Sequence, residues 1–138
     1  MKSTILLLVC ILGLGVVTSC NNDDDNTDQQ ESLDGTWNLT NVRGSLLGVD
    51  LDYNRGEVIW NFIQDENTLV VENNIMTTGP EDIYSGLDSG TYVYNIQVID
   101  DLDVLFVENR EMGFVVLSNN NLKIDDRATD GLLAEFER

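Results

Sequence analysis

The chain has 138 residues, with 25 acidic and seven basic side chains, two cysteines, no histidine and a formal charge of −18. This charge repels nucleic acids and anionic lipid head groups. The lack of histidine excludes Ser-His-Asp and Cys-His catalysis and histidine-ligated zinc. We therefore predict a protein with no catalytic residue, no metal and no cofactor, although paired carboxylates of the glycosidase type stay open as an alternative.

The N-terminal region has the features of a secretory signal. Lys2 supplies a positive charge, and residues 5–17 form an apolar run that is shorter than the roughly 20 residues of a membrane-spanning helix. The stretch Val17-Thr18-Ser19-Cys20 closes this run and resembles the lipobox of bacterial lipoproteins. The resemblance implies that residues 1–19 are cleaved off and that Cys20 is acylated, which attaches the protein to a membrane. An N-terminal anchor helix or a buried core helix is the alternative.

Residues 20–32 follow the cysteine and contain five acids but no aliphatic or aromatic side chain. A segment of this composition cannot bury enough apolar surface to fold, so we predict a disordered tether. The run resembles the acidic tail that exports some Gram-negative lipoproteins to the cell surface. The implied location is the outer membrane, with exposure on the outside. Without Lys2, the chain keeps six bases against 25 acids, a formal charge of −19.

Residues 33–138 are enough for one domain with a single core. Short runs of β-branched and aromatic residues alternate with Asn, Asp and Gly, which is typical of all-β proteins. The predicted strands, in chain order, are 35–42, 57–64, 68–72, 91–99, 104–108, 112–118, 122–125 and 132–136.

Two connecting segments are longer than hairpin turns. Residues 43–54 contain two glycines and predict a loop. Residues 73–90 are irregular and include Met76, a lone apolar residue that is a candidate plug or lid for the interior. The other connections are short turns at 65–67, 100–101, 109–110, 119–121 and 128–131.

The spacing of apolar residues also predicts which side chains share a face. In the first strand Trp37, Leu39 and Asn41 share one face, with Val42 as an exception. In the sixth strand the shared face holds Met112, Phe114 and Val116.

Eight strands joined mainly by hairpins favour an antiparallel up-and-down barrel, because closure removes exposed sheet edges. A two-layer β-sandwich is the alternative fold.

The first strand begins Asp34-Gly35-Thr36-Trp37, directly after the tether. This G-x-W motif resembles that of the lipocalin-like domains of Gram-negative surface lipoproteins. In lipocalins the tryptophan packs across the closed end of the barrel, beneath an arginine. The resemblance therefore implies that Trp37 is a core residue and makes Arg127 and Arg138 the candidates for the arginine.

An eight-stranded barrel either holds one small ligand or is filled by its own side chains. The candidate ligand-binding residues are aromatic side chains of the predicted strands, whose alternative role is ordinary core packing: Trp60, Phe62, Tyr92, Tyr94, Phe106 and Phe114. The acidic groups at 100–103 and 125–130 contain oxygen ligands that calcium prefers, but hairpin turns on an acidic protein explain them better.

We therefore expect a non-enzymatic envelope protein, attached to the membrane through acylated Cys20, that binds a small apolar or amphipathic molecule in or at the mouth of its barrel. The alternative is an accessory or structural lipoprotein whose filled barrel binds another envelope protein. Neither hypothesis involves nucleic acid.

Overall fold

A computed structural model describes residues 31–44, 48–126 and 128–138 of the chain. The signal segment, Cys20 and the tether up to residue 30 lie outside the described residues, as does Arg127. No helix in the described ranges is both long enough and apolar enough to cross a membrane. The strands of the described residues are β1 (Gly35–Gly44), β2 (Val49–Asp52), β3 (Val58–Ile63), β4 (Thr68–Asn73), β5 (Gly90–Ile99), β6 (Leu102–Val107), β7 (Arg110–Ser118), β8 (Asn121–Asp125) and β9 (Leu132–Glu137).

The sheet closes on itself. Each strand from β3 to β9 pairs antiparallel with the next one, β3 pairs with the first half of β1, and β9 pairs with β1 along most of its length. These eight strands form the closed up-and-down barrel that the sequence predicts, so the alternative sandwich is wrong. The ninth strand, β2, pairs with the second half of β1 and falls in the segment 43–54 that was predicted to be a loop.

Tight turns set the register of two hairpins. Asp100 and Asp101 have φ angles of 51° and 62°, and Glu108 and Asn109 have φ angles of 50° and 63°. Two successive residues with positive φ make a turn whose twist matches that of the flanking strands, and Asn and Asp tolerate this conformation better than most residues. The second turn begins one residue earlier than the predicted turn at 109–110.

A β-bulge in β1 changes which side chains point inward. The pairing with β9 skips Thr40, whose carbonyl instead accepts a hydrogen bond of 2.9 Å from the Tyr53 amide. An extra residue reverses the alternation of faces beyond it. Val42 is therefore buried in the core at 3% exposure, and Asn41 hydrogen-bonds Asp50 and Asp52 of β2. The prediction that Asn41 shares the face of Trp37 and Leu39 is wrong for this reason.

A second irregularity lies in β7. Leu105 pairs with Gly113, but Phe106 pairs with Glu111, so Met112 is the extra residue. Met112 packs against the core, whereas Phe114 does not belong to the core cluster. The bulge thus separates Met112 from Phe114, which the sequence pattern assigned to one face.

Apolar side chains fill most of the barrel. The largest side chains that are less than 2% exposed come from β1, β3, β4, β6, β8 and β9: Trp37, Phe62, Phe136, Leu39, Leu69, Leu105, Leu122, Val58 and Val104. All of these except Val104 belong to one cluster. The barrel is therefore filled through its middle, and the two cavities described below lie near its ends.

Candidate ligand-binding site

One end of the barrel is closed by Trp37, and we call it the closed end. The indole Nε1 of Trp37 donates a 2.8 Å hydrogen bond to the Leu33 carbonyl, and the side chain is fully buried. The guanidinium carbon of Arg138 lies 4.3 Å from the centre of the Trp37 ring. Of the two candidate arginines, Arg138 therefore covers the tryptophan, while Arg127 lies outside the described residues.

The opposite end contains a cavity of about 270 Å³, which we call the open-end cavity. Its position follows from strand direction, because β1 runs from Trp37 toward this end and β9 starts there. Its walls are mainly apolar, with a few polar residues: Leu39, Val42, Trp60, Tyr84, Ser85, Gly86, Arg110, Glu111, Met112, Ile124, Asp126, Leu132, Ala134 and Phe136. A mainly apolar concavity with a few polar groups is the usual form of a small-molecule site.

Trp60 is the one predicted ligand-binding residue that lines this cavity. Its ring packs at a tilt against Phe136, with 5.0 Å between ring centres, and against Phe62 at 6.1 Å. Only 3% of Trp60 is exposed, yet its Nε1 has no hydrogen-bond partner among the described residues. Buried indole N–H groups usually have a partner, so this donor is an exception that calls for an explanation.

The segment between β4 and β5 forms part of the cavity wall. It contains the short helix α1 (Pro80–Ile83), followed by Tyr84, Ser85 and Gly86. Ser85 is 4% exposed. Its hydroxyl donates a 2.8 Å hydrogen bond to the Asp82 carbonyl and accepts a 2.8 Å hydrogen bond from the side-chain Nδ2 of Asn73. These hydrogen bonds attach the segment to the end of β4 and fix its position in the cavity wall.

Tyr53 holds the same segment from the side of β2. Its hydroxyl donates a 2.9 Å hydrogen bond to the Glu81 carbonyl in α1. Burial, with the nearby carboxylates of Glu81 and Glu57, raises the pKa of Tyr53 to about 12. The hydroxyl therefore remains a donor throughout the neutral range. Met76, the candidate plug, is 95% exposed and lines neither of the two cavities described here, so that prediction is wrong.

A second, more open space of about 1010 Å³ lies at the closed end, and we call it the closed-end groove. It exists because β4 pairs with β5 only as far as Val93. Beyond Val93, β5 pairs with β6 on one side, and its edge toward β4 has no paired strand among the described residues. Tyr94, Ile96 and Leu117 contribute to its wall, together with the first described residues, 31–33. Polar and apolar side chains share this surface, and no buried unpartnered donor lies in it among the described residues.

The other predicted ligand-binding residues are dispersed. Phe62 is buried in the middle of the core, where Tyr94 meets it edge to face with 5.0 Å between ring centres. The Tyr92 hydroxyl donates to the Asp88 carbonyl at 2.9 Å, outside both cavities. Phe106 and Phe114 are half-buried, belong to neither cavity and lie outside the core cluster. The structure thus brings Trp60 to the open-end cavity and Tyr94 to the closed-end groove, but does not gather the six residues into one site.

Sequence reasoning missed most of the cavity wall. Leu39, Val42, Leu132 and Ala134 are aliphatic residues that look like ordinary core in the sequence, and the bulges that orient Val42 and Met112 have no clear sequence signal. Among the described residues, no group of three or more acidic side chains is arranged to hold a metal ion.

Comparison of this chain with protein-family models, with curated proteins and with solved structures found no match.

Proposed function

We propose that this protein is a lipid-anchored, non-enzymatic binding protein of the bacterial envelope, which holds a small apolar molecule in the open-end cavity. The observation that carries the proposal is this cavity of about 270 Å³ in a barrel that is otherwise filled. A mainly apolar concavity of this size at the mouth of a β-barrel has the form of a site for a compact small molecule. The proposal assigns no catalytic residue.

The position of the cavity agrees with attachment through Cys20. The first described residues, 31–33, lie at the closed end, and the open-end cavity lies at the other end. An extended tether from residue 20 to residue 32 reaches at most about 45 Å. An anchor at Cys20 would therefore keep the domain within about 45 Å of the membrane, with the tether leading to the closed end and away from the cavity.

The anchor and the location are tested apart from binding. We expect a mature N-terminus at an acylated Cys20 by mass spectrometry, and loss of the protein from the membrane fraction in Cys20→Ser. Several acyl chains hold a protein stably, whereas a protein with none is released. Proteolysis of intact cells would then show whether the domain faces outward. An unmodified N-terminus at Met1 would contradict the anchor.

Ligand binding is tested by native mass spectrometry of the chain purified gently from the cells that produce it. We expect an additional mass that disappears on denaturation. The variant Ala134→Leu puts extra carbon atoms into the open-end cavity and should abolish the additional mass. The matched control is Thr91→Leu, which adds carbon atoms at an exposed position of β5 and should leave it unchanged. An additional mass retained equally by both variants would place the ligand elsewhere.

A second candidate function, an accessory subunit that binds another envelope protein, is favoured by the exposed apolar residues of β5. Val98 is 72% exposed and Ile96 38%, and both lie on the same alternating face of β5. Exposed aliphatic groups that lie together mark interaction surfaces in many proteins. Cross-linking in intact cells tests this candidate: Val98→Ser should reduce a cross-linked product, and Val93→Ser, the same change at an exposed position on the opposite face of β5, is the control.

A further inference from the structure

We infer that the free edge of β5 at the closed end binds an extended segment of another protein, which adds to the sheet as an antiparallel strand. This segment alternates aliphatic and polar residues and begins with a lysine or an arginine. The inference goes beyond the small-molecule function and does not depend on the open-end cavity. It gives the second candidate function a binding mode and a partner of defined chemistry.

The backbone of β5 offers unpaired hydrogen-bonding groups along this edge. The Tyr94 amide donates a 2.9 Å hydrogen bond to the Asn67 carbonyl, on the side of β4. Direction alternates along an antiparallel strand, so the N–H and C=O groups of Ile96 and Val98 also point to that side. Because β4 pairs with β5 only as far as Val93, these four groups face no paired strand among the described residues.

The side chains of the same residues are aliphatic and exposed. Ile96 and Val98 share a face with the buried Tyr94, which packs in the interior of the barrel. Ile96 lines the closed-end groove of about 1010 Å³, together with Leu117 of β7. An added strand would place its inward side chains beside Ile96, in this groove. Aliphatic side chains at those positions would cover the exposed face of β5.

The free edge of β5 lacks the features that keep sheet edges from pairing. Natural proteins protect exposed edges with charged side chains or with proline. Residues 90–99, the whole of β5, contain neither. The outer edge of β2 also has no paired strand among the described residues, but β2 is only four residues long and carries Asp50 and Asp52. Charge thus protects the edge of β2, whereas the edge of β5 is open to a partner.

The charges around this edge favour a basic partner. The described wall of the closed-end groove contains two acids, Glu31 and Asp103, and no base. Asp100 and Asp101 form the turn at the end of β5, and Asp103 pairs with Val98. The start of an antiparallel partner strand would lie beside this turn. A lysine or an arginine there would meet acids of opposite charge.

The same charges disfavour two nearer occupants. A second copy would bring another Asp100–Asp101 turn and a formal charge of −18 to an acidic surface, so like charges would repel. Residues 21–30 precede Glu31 in the chain, but they contain four acids and no aliphatic or aromatic side chain. They supply neither the base nor the apolar groups that the edge requires. The occupant is therefore a segment of a different protein.

The test uses the nitrogen-15-labelled full chain in a non-ionic detergent and a synthetic peptide, acetyl-Lys-Thr-Val-Thr-Val-Thr-amide. Hydrogen–deuterium exchange followed by NMR measures the protection of single amides. In the free chain we expect fast exchange at Ile96 and Val98, and slower exchange at Gln97, whose amide points to β6. The peptide should slow exchange at Ile96 and Val98 at least about tenfold and leave Gln97 unchanged.

Matched peptides separate the hydrogen bonds from the charge. In the antiparallel arrangement the valine amides of the peptide point to β5 and the threonine amides point away. A methyl group on the first valine nitrogen should therefore weaken binding at least about tenfold, whereas one on the middle threonine nitrogen should not. Glutamate in place of the lysine should weaken binding about three- to tenfold at low salt, because like charges then meet.

A matched pair of variants tests the same edge from the side of the protein. Val98→Lys puts a positive charge on the free edge and should weaken binding of the lysine peptide about tenfold, since charge protects sheet edges. Val93→Lys is the same change at an exposed position on the opposite face of β5 and should leave binding unchanged.

The other outcomes overturn the inference in different ways. Slow exchange at Ile96 and Val98 in the free chain would show that the edge is already occupied, and sedimentation would tell a second copy from residues 21–30. Equal binding of the two methylated peptides would reject strand addition. Tighter binding of the glutamate peptide would reject a basic partner.

No protection by any peptide at millimolar concentration would reject the edge as a docking site. None of these results changes the additional mass expected in the open-end cavity, so failure of the inference is distinguishable from failure of the small-molecule function. The wild-type exchange data decide between the outcomes even where a variant fails to fold.

Discussion

The last residue of the chain, Arg138, lies over Trp37 of the first strand, with 4.3 Å between the guanidinium carbon and the ring centre. The same guanidinium donates hydrogen bonds to the carbonyls of Ser32 and Asp34, the latter at 3.1 Å. One side chain therefore joins the residue that follows β9 to both Trp37 and the segment that precedes β1.

This contact gives the first prediction. Arg138→Ala should lower the free energy of unfolding by about 1 kcal/mol, since an exposed stacked cation contributes about that much and its hydrogen bonds are partly replaced by water. Denaturation by urea measures the change. Arg138→Lys keeps the charge but loses the planar group and should recover only part of the loss. Arg110→Ala, an exposed arginine at the other end, is the control; an equal loss there would contradict a specific role for Arg138.

Gly113 gives the second prediction, because the close approach of β7 and β8 leaves no room for a side chain. A β-carbon there would lie 2.3 Å from the Asp125 carbonyl oxygen, and φ is 135°. Gly113→Ala should therefore cost more than the roughly 1–3 kcal/mol of a strained backbone alone. The matched control is Gly35→Ala, at φ 108° with open space around it. Thermal unfolding compares the two, and equal losses would show that the steric contact is unimportant.

The third prediction concerns the direction of side chains in β6. Leu105 is fully buried and Leu102 is 36% exposed. Leu105→Ala should lower the free energy of unfolding by about 2–5 kcal/mol, because it leaves a cavity in the core. Leu102→Ala is the same chemical change at the hairpin tip and should cost less than about 1 kcal/mol. Equal losses in chemical denaturation would contradict the observed register of β6.

The fourth prediction is a loss of stability at alkaline pH. The pKa of Tyr53 is raised to about 12 in the folded chain, whereas tyrosine in an unfolded chain ionises near about pH 10. The folded state thus holds this proton more tightly. The contribution of the protonated Tyr53 hydroxyl to the free energy of unfolding is complete below about pH 10 and is lost as the pH rises toward 12. Tyr53→Phe should therefore give a shallower fall in unfolding free energy over this range, and parallel curves for the two chains would contradict the prediction.

The alternation of apolar and polar residues was sufficient to predict the eight barrel strands and their antiparallel order. It failed where one residue interrupts the alternation. The bulge at Thr40 turns Val42 inward and Asn41 outward, and the bulge at Met112 separates it from Phe114. The bulge at Thr40 is fixed by the pairing of β1 with β9, which is distant in sequence, and by the hydrogen bond from the Tyr53 amide, so a local pattern does not show it.

The candidate site was harder to predict than the fold. Trp60 was among the predicted residues because aromatic side chains at alternate positions of a strand point to one side. The sequence could not show that its N–H lacks a partner, because that depends on the packing of Phe136 and Gly86, which are far away in the chain. Nor could it show that β5 continues beyond β4, which leaves Ile96 and Val98 exposed although they alternate with the same period as the buried Tyr94.

Closure of the barrel by β1 and β9 also affects the order in which the parts of the chain can fold. Asn38 hydrogen-bonds the Glu137 carbonyl across a separation of 99 residues. Contacts between such distant parts of a chain form slowly, whereas hairpins form between neighbours. Leu39 and Val42 of β1 pair with Phe136 and Ala134 of β9, and all four side chains line the same cavity. The binding space therefore arises only when the final strand docks, so a nascent chain that still lacks β9 has no pocket to occupy.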